Sequence, residues 1–252
     1  MFSKKNDYVI DFASLSDKGD REVNEDSIGS SIVSDNYCFA LCDGLGGHGM
    51  GDVASSIAVQ VITNQFSTAN SIKEYIDNVL QVANDIITAE QIKQRAVNKM
   101  KTTAVVVSLF DNKIYGCHLG DSRAYVFKKD YTYVRTLDHS VPQMLVLTKQ
   151  IEEPEIRNHP DRTSVLRALG AQTEEPIRIG LIKPIKFNSA RAVLLCSDGF
   201  WELIEEDDMI ECLKQSETAD EWLNKMLDIV KKNGESVEMD NYSAITILIN
   251  RE

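Results

Sequence analysis

The chain reads as an α+β protein in which antiparallel sheets are covered by helices. Three observations predict this class. Short strand-like runs follow one another over residues 102–137 with turn residues between them; amphipathic helical stretches come in pairs, at 52–98 and at 207–232; and no repeated strand-helix-strand unit runs through the chain. At 252 residues it can bury a sizeable core, and with no repeat, low-complexity tract or linker it is expected to form one domain over 1–252.

Taken in order, residues 8–15 alternate as a half-buried strand should, and 37–42 is a short apolar run expected to be buried on both faces. A glycine-rich loop follows. Residues 52–66 are rich in Ala, Val and Ile at helical spacing, and 72–98 carries Ile72, Ile76, Val79, Leu80, Ala83, Ile86 and Ile87 on one helical face. Strands are expected at 102–110, 113–119, 124–128 and 131–137, with Asp111-Asn112 as a hairpin turn. Residues 140–170, interrupted by Pro142, Pro154 and Pro160, read as short helices forming a flap beside the sheets, with Asp138 and Ser140 as helix caps. Strands resume at 177–182 and 192–196; helices at 207–215 and 219–232 precede a last strand at 243–250.

Composition narrows the function. The 39 acidic residues outnumber the 27 basic ones, for a formal charge of -12. That argues against nucleic acid or an anionic membrane surface as main partner, because both are polyanions. The five cysteines are odd in number and lie mostly in apolar runs, which reads as buried free thiols rather than a disulfide framework. No stretch has the length and apolarity of a signal peptide or a membrane span, so a cytoplasmic protein is expected.

The chemistry is carried by aspartates placed where apolar runs end: Asp43 in CFALCDGLGGHG, Asp121 in GCHLGDSR, Asp198 in AVLLCSDGFWE and Asp240 in MDNYSAITILI, with Glu25 and Asp26 near the N-terminus. One such Asp is ordinary turn chemistry. Several gathered at one end of a sheet repel one another and call for cations or shared protons. Oxygen ligands without Cys/His spacing favour magnesium or manganese over zinc. The stretch from Gly44 to Gly49 satisfies G-x-G-x-x-G, but Asp43 would set negative charge beside a pyrophosphate. The acidic residue expected about twenty positions on is also absent from Thr63-Asn64-Gln65-Phe66-Ser67. The glycines instead allow the backbone to approach a metal held by Asp43, with the Gly44 carbonyl as a further ligand.

Eight motifs then occur in register: NED at 24–26, DGLGGH at 43–48, TTAV at 102–105, GDSRAY at 120–125, LDHS at 137–140, HPDRTSVLRALG at 159–170, LLCSDGFWE at 194–202 and DNYSAI at 240–245. Through them the chain resembles the metal-dependent protein phosphatases of the PPM, or type 2C, family in their bacterial form. The resemblance implies a four-layer α-β-β-α sandwich of two antiparallel sheets flanked by helices, and hydrolysis of phosphoserine and phosphothreonine by a metal-activated water. It implies two manganese or magnesium ions: Asp43 bridging them, the Gly44 carbonyl on one, Asp198 and Asp240 completing the first site, and Asp26 (with Glu25 as the other candidate) supporting the second. Asp121 with Asp198 would hold a third, weaker ion. Arg21 would bind the substrate phosphate, offering two parallel N–H donors that Lys cannot reproduce. Leu45 stands where eukaryotic members carry a His after DG; His48, farther along the loop, is the candidate acid, with a metal-bound water as the alternative. Lys101 replaces the glycine usual before TT, which is expected to alter a strand end only.

The expected partners are phosphorylated proteins, including a Ser/Thr kinase that the enzyme opposes, and the expected state is a monomer. From another class, a non-catalytic phosphoprotein-binding domain of the same fold would be marked by loss of a metal Asp. A regulator phosphatase of the sigma-factor pathways would be marked by attached sensor domains.

Overall fold

The computed structural model describes residues 8–45, 49–172 and 176–251. Two five-stranded antiparallel sheets stack face to face. One has the order β1-β10-β9-β6-β7: β1 (Tyr8–Asp17), β10 (Tyr242–Arg251), β9 (Ala190–Cys196), β6 (Arg123–Lys128) and β7 (Tyr133–Arg135). The other has the order β2-β3-β4-β5-β8: β2 (Ser27–Val33), β3 (Asn36–Cys42), β4 (Ala104–Phe110), β5 (Lys113–Leu119) and β8 (Gly180–Lys186). Helices α1 (Gly51–Thr68) and α2 (Ile72–Lys93) cover the second sheet; α4 (Asp198–Trp201), α5 (Glu206–Lys214) and α6 (Ala219–Gly234) cover the first. The short α3 (Val141–Leu147) and a 3-10 turn at Glu153–Asn158 lie in the segment between β7 and β8.

Strand alternation builds the layers. In β3, Phe39 and Leu41 face the opposite sheet while Cys38, Ala40 and Cys42 face the helices; in β10, Ile245, Ile247 and Ile249 point inward while Ala244 and Leu248 point outward. Both faces of the central strands are thus buried, which is why they read as continuous apolar runs. Small outward residues such as Ala40 and Ala104 meet Ala54 and Ala58 of α1, so the helix packs close to its sheet. All five cysteines are buried and free.

Several boundaries differ from expectation. β2 was not foreseen: SIGSSIV is polar and small, and it becomes a strand by pairing with β3 from Ser27↔Cys42 to Val33↔Asn36. The strand expected at 177–182 lies at Gly180–Lys186, with Pro184 tolerated because β8 is an edge. The second helix stops at Lys93, and Ile86 on its supposed apolar face is exposed. The four-residue α4 was also missed. Asp111 and Asn112 adopt φ of 48° and 56°, the turn their sequence promises. Ser140 caps α3 as expected, but Asp138 does not cap; it receives two hydrogen bonds from buried Arg123, at 3.0 and 2.7 Å.

Candidate active site

Register alone gathers the aspartates. Asp43 follows the end of β3, and Asp26 precedes the start of β2, whose Ser27 sits opposite Cys42. β5 runs parallel to β3 because both are antiparallel to β4, so Asp121 after its end lies at the same edge of the sandwich. In the other sheet Asp198 follows β9 and Asp240 precedes β10, with Ala244 opposite Cys196. Arg123, opposite the same Cys196, brings the crossover from β5 to β6, and with it Asp121, to the shared end.

These residues form two tiers. Asp43, Asp198 and Asp240 are half-buried and line an open cleft of about 1120 Å³ together with Glu25, Gly44 and Arg21. Asp26 and Asp121 are buried behind them, at 7% and 3% exposure. The far wall of the cleft comes from 163–168, through Thr163, Ser164, Val165, Leu166 and Ala168. His48 lies outside the described residues.

Each side chain is held from below. The backbone of Asp43 is pinned by the two threonines of TTAV: its carbonyl accepts from Thr103 N and Thr102 Oγ1, both at 2.8 Å, and its N–H donates to Thr103 Oγ1 at 3.1 Å. Gly44 is bridged to Thr102 and stacks on Gly51 at the start of α1; a Cβ on Gly44 would meet the Gly51 carbonyl at 2.5 Å. Ser197 donates to Asp26 Oδ2 at 2.8 Å, and the Trp201 indole donates to the Asp121 carbonyl at 3.1 Å. Asn241 clamps the loop that carries Arg21: its Nδ2 donates to the carbonyls of Lys18 (2.9 Å) and Val23 (3.0 Å), and its Oδ1 accepts from Glu25 N at 2.8 Å. Arg21 is exposed and reaches Asp240 Oδ2 at 2.8 Å. The motifs TTAV, LLCSDGFWE and DNYSAI gave no role for Thr102, Thr103, Ser197 or Asn241 from sequence. Ser197 and Asn241 stand next to Asp198 and Asp240 in the chain, which was the signal available; Thr102 and Thr103 adjoin no acidic residue in sequence.

The electrostatics are unfavourable without a cation. Burial, followed by the charge of Asp198, pushes Asp43 and Asp121 well above the usual carboxylate range. Burial raises Asp26 to about 7 despite hydrogen bonds from Ser243 and Ser197, and raises Asp198 with help from Asp240. Asp26 Oδ1 and Asp121 Oδ1 are buried with no hydrogen-bond partner. An orphaned carboxylate oxygen inside a protein is costly, and hard divalent cations are the ligands that such oxygens suit. Among the described residues no three His, Cys, Asp or Glu side chains close a cage by themselves. The unpartnered oxygens of Asp26 and Asp121 are of the kind that manganese and magnesium take as ligands. The residues therefore fit such ions.

Fold and site define a class: a two-sheet sandwich between helix layers with carboxylates gathered at one end of the strands. The protein phosphatase 2C family model matches residues 16–242, so the chain belongs to the protein phosphatase 2C family. It is 31% identical over 208 residues to the serine/threonine phosphatase stp of Listeria monocytogenes serotype 4b, covering 80% of this chain and 81% of that one. Its fold is similar to the crystal structure of serine/threonine phosphatase Stp1 from Staphylococcus aureus, at TM-score 0.87, 26% identity and 96% coverage of each chain. It is similar too to the catalytic domain of the serine/threonine protein phosphatase PstP in complex with two manganese ions, at TM-score 0.78 and 25% identity, covering 96% of this chain and 99% of that one.

Proposed function

We propose that this chain is a metal-dependent protein-serine/threonine phosphatase, a phosphoric monoester hydrolase acting on phosphoserine and phosphothreonine in proteins. The observation that carries this reading is the acidic end of the sandwich, where two buried carboxylate oxygens lack partners in a member of the protein phosphatase 2C family. Asp43, Asp198, Asp240 and the Gly44 carbonyl would hold one ion; Asp43 and Asp26 would hold a second; Asp121 with Asp198 would hold a weaker third. Bound there, manganese or magnesium would acidify a water and withdraw charge from the phosphoryl oxygens.

The chain's own residues would do the rest. Arg21 sits at the cleft mouth on a loop fixed by Asn241, and its planar guanidinium can turn from Asp240 to a phosphate with paired N–H donors. His48 is proposed as the acid that protonates the leaving alkoxide. The segment 140–170 is proposed as a flap, since 163–168 forms the wall facing Arg21. The proposed setting is a cytoplasmic monomer that opposes a Ser/Thr kinase. Among the described residues no helix is long and apolar enough to cross a membrane. The binding-domain alternative is disfavoured by the presence of all five aspartates.

The test is phosphate release from a phosphothreonine peptide with manganese, with and without EDTA, in wild type and Asp198→Asn. Release abolished by EDTA and by the substitution is expected. An Asp198→Asn variant that turns over normally would remove Asp198 from the site, and a wild type inert at saturating metal would favour the binding-domain reading.

A further inference from the structure

A second cavity, of about 730 Å³, opens on the side of the sandwich between the edge strands β7 and β8. It lies beside the three-residue β7, with Ala124 and Val126 of β6 at its floor and Leu181, Ile182 and Ile185 of β8 on the opposite side. We infer that this slot docks an extended acidic and apolar segment of the phosphoprotein substrate, next to the phosphorylated residue held in the cleft. The inference rests on the phosphatase reading above and names what that site selects.

Three observations converge. Apolar side chains crowd the slot while open to water: Val134, Leu137, Leu147 and Leu181 are 40%, 49%, 57% and 56% exposed. Lone exposed leucines need no explanation, but several around one concave surface mark a binding site. The charge is also locally inverted. In a chain of formal charge -12, Lys128, Arg167 and Lys183 line the slot. The carboxylate there, Asp138, is buried and neutralised by Arg123 at 2.7 Å and Arg135 at 3.4 Å. Among the described residues Lys128, Arg167 and Lys183 are held in no ion pair, whereas Arg135, which also lines the slot, pairs with Asp138 and Glu153. Attraction therefore favours an acidic occupant and disfavours a second copy of this acidic chain.

The third observation is continuity. Leu166 lines both the cleft and the slot, and its N–H donates to the His139 carbonyl at 2.7 Å. Ser140 bridges Val165 in the same strip, so 163–168 is a thin partition between the two sites. A peptide leaving the cleft over this partition enters the slot directly. Docking would be through side chains rather than by adding a strand to β8, because Pro184 interrupts the donors of that edge.

The experiment uses p-nitrophenyl phosphate, a short phosphothreonine peptide, and the same peptide extended on either side by a Glu/Leu segment. In wild type one extension should raise kcat/KM about tenfold through KM, the scale of burying one leucine side chain. Leu181→Asp and Lys183→Glu, both at the exposed surface, should remove that gain and leave p-nitrophenyl phosphate turnover unchanged. Lys183→Glu should in turn favour a Lys/Leu extension. Fluorescence anisotropy of the labelled extended peptide in EDTA reads docking without catalysis, so an inert enzyme that still binds it would sink the phosphatase reading and keep the slot. No gain from either extension, a gain that both variants retain, or a dimer in sedimentation that Leu181→Asp dissociates would overturn the proposal.

Discussion

Asn241→Ala is the most direct test of how the loop carrying Arg21 is held. Asn241 is buried at 6% exposure and makes three hydrogen bonds with one side chain, to Lys18, Val23 and Glu25. Each bond is worth about 1 kcal/mol net, and the Glu25 N–H is left without its acceptor, so about 3 kcal/mol should be lost. For a domain of this size that corresponds to a fall in Tm of roughly 6–12 °C. The loosened loop no longer presents Arg21 in one place, so KM for a phosphothreonine peptide should rise more than kcat falls. Asn241→Asp keeps the acceptor for Glu25 but sets oxygen against the carbonyls of Lys18 and Val23 and adds charge beside Asp240. It should be less stable than the alanine variant. Thermal unfolding with manganese, paired with steady-state phosphate release, checks both statements. A Tm within about 2 °C of wild type together with an unchanged KM would refute the clamp.

Further outcomes follow from the same geometry. Asp43→Asn should abolish turnover and, in EDTA, lose less Tm than wild type as pH rises above the usual carboxylate range, because wild type must give up the proton that burial and Asp198 favour on Asp43 while the amide has none to lose; an equal loss would contradict the repulsion argument. Arg21→Lys keeps the charge but loses the paired donors. A fall in kcat/KM of about 10- to 100-fold is expected from one or two charge-assisted bonds, and an unchanged value would show that Arg21 stays on Asp240. His139 stacks on His118 at 4.7 Å between ring centroids, and burial pushes its pKa down to about 3. The folded imidazole therefore stays neutral where the unfolded one, near 6.5, takes a proton. Its contribution to stability is full above about pH 6.5 and is lost as pH falls toward 3. Between pH 7.5 and 5.0 wild type should lose about 1–2 kcal/mol more than His139→Asn, a figure reduced for the part of the ring that water reaches. Asn keeps an acceptor for the Gly120 N–H, which donates to His139 Nδ1 at 3.2 Å. Equal losses by denaturant titration would contradict this assignment.

Much of the molecule was written locally. β3, β4, β9 and β10 are buried on both faces, so their apolar runs identify them without knowledge of their partners. The Asp111-Asn112 turn and the aspartates at strand ends rest on backbone preferences of a few residues, and these too were visible in the chain. The family motifs contain the five aspartates that gather at one end of the sandwich, because each motif is contiguous in sequence.

Only the tertiary structure decided the rest, and for one physical reason: those features depend on pairings across long separations. β2 carries little apolar signal and is a strand because β3 accepts its ladder. Arg123 and Asp138 could each be surface residues by type; they are buried because they neutralise one another beneath Trp201. The division between half-buried Asp43, Asp198 and Asp240 and deeply buried Asp26 and Asp121 comes from the way two sheets meet at their ends. Asn241 reaches residues more than 200 positions away, through β1 and β10 lying side by side. The sequence by itself carried the motifs that place the chain in its family; the packing of the two sheets determined the depth and partners of their acidic residues and the slot beside them.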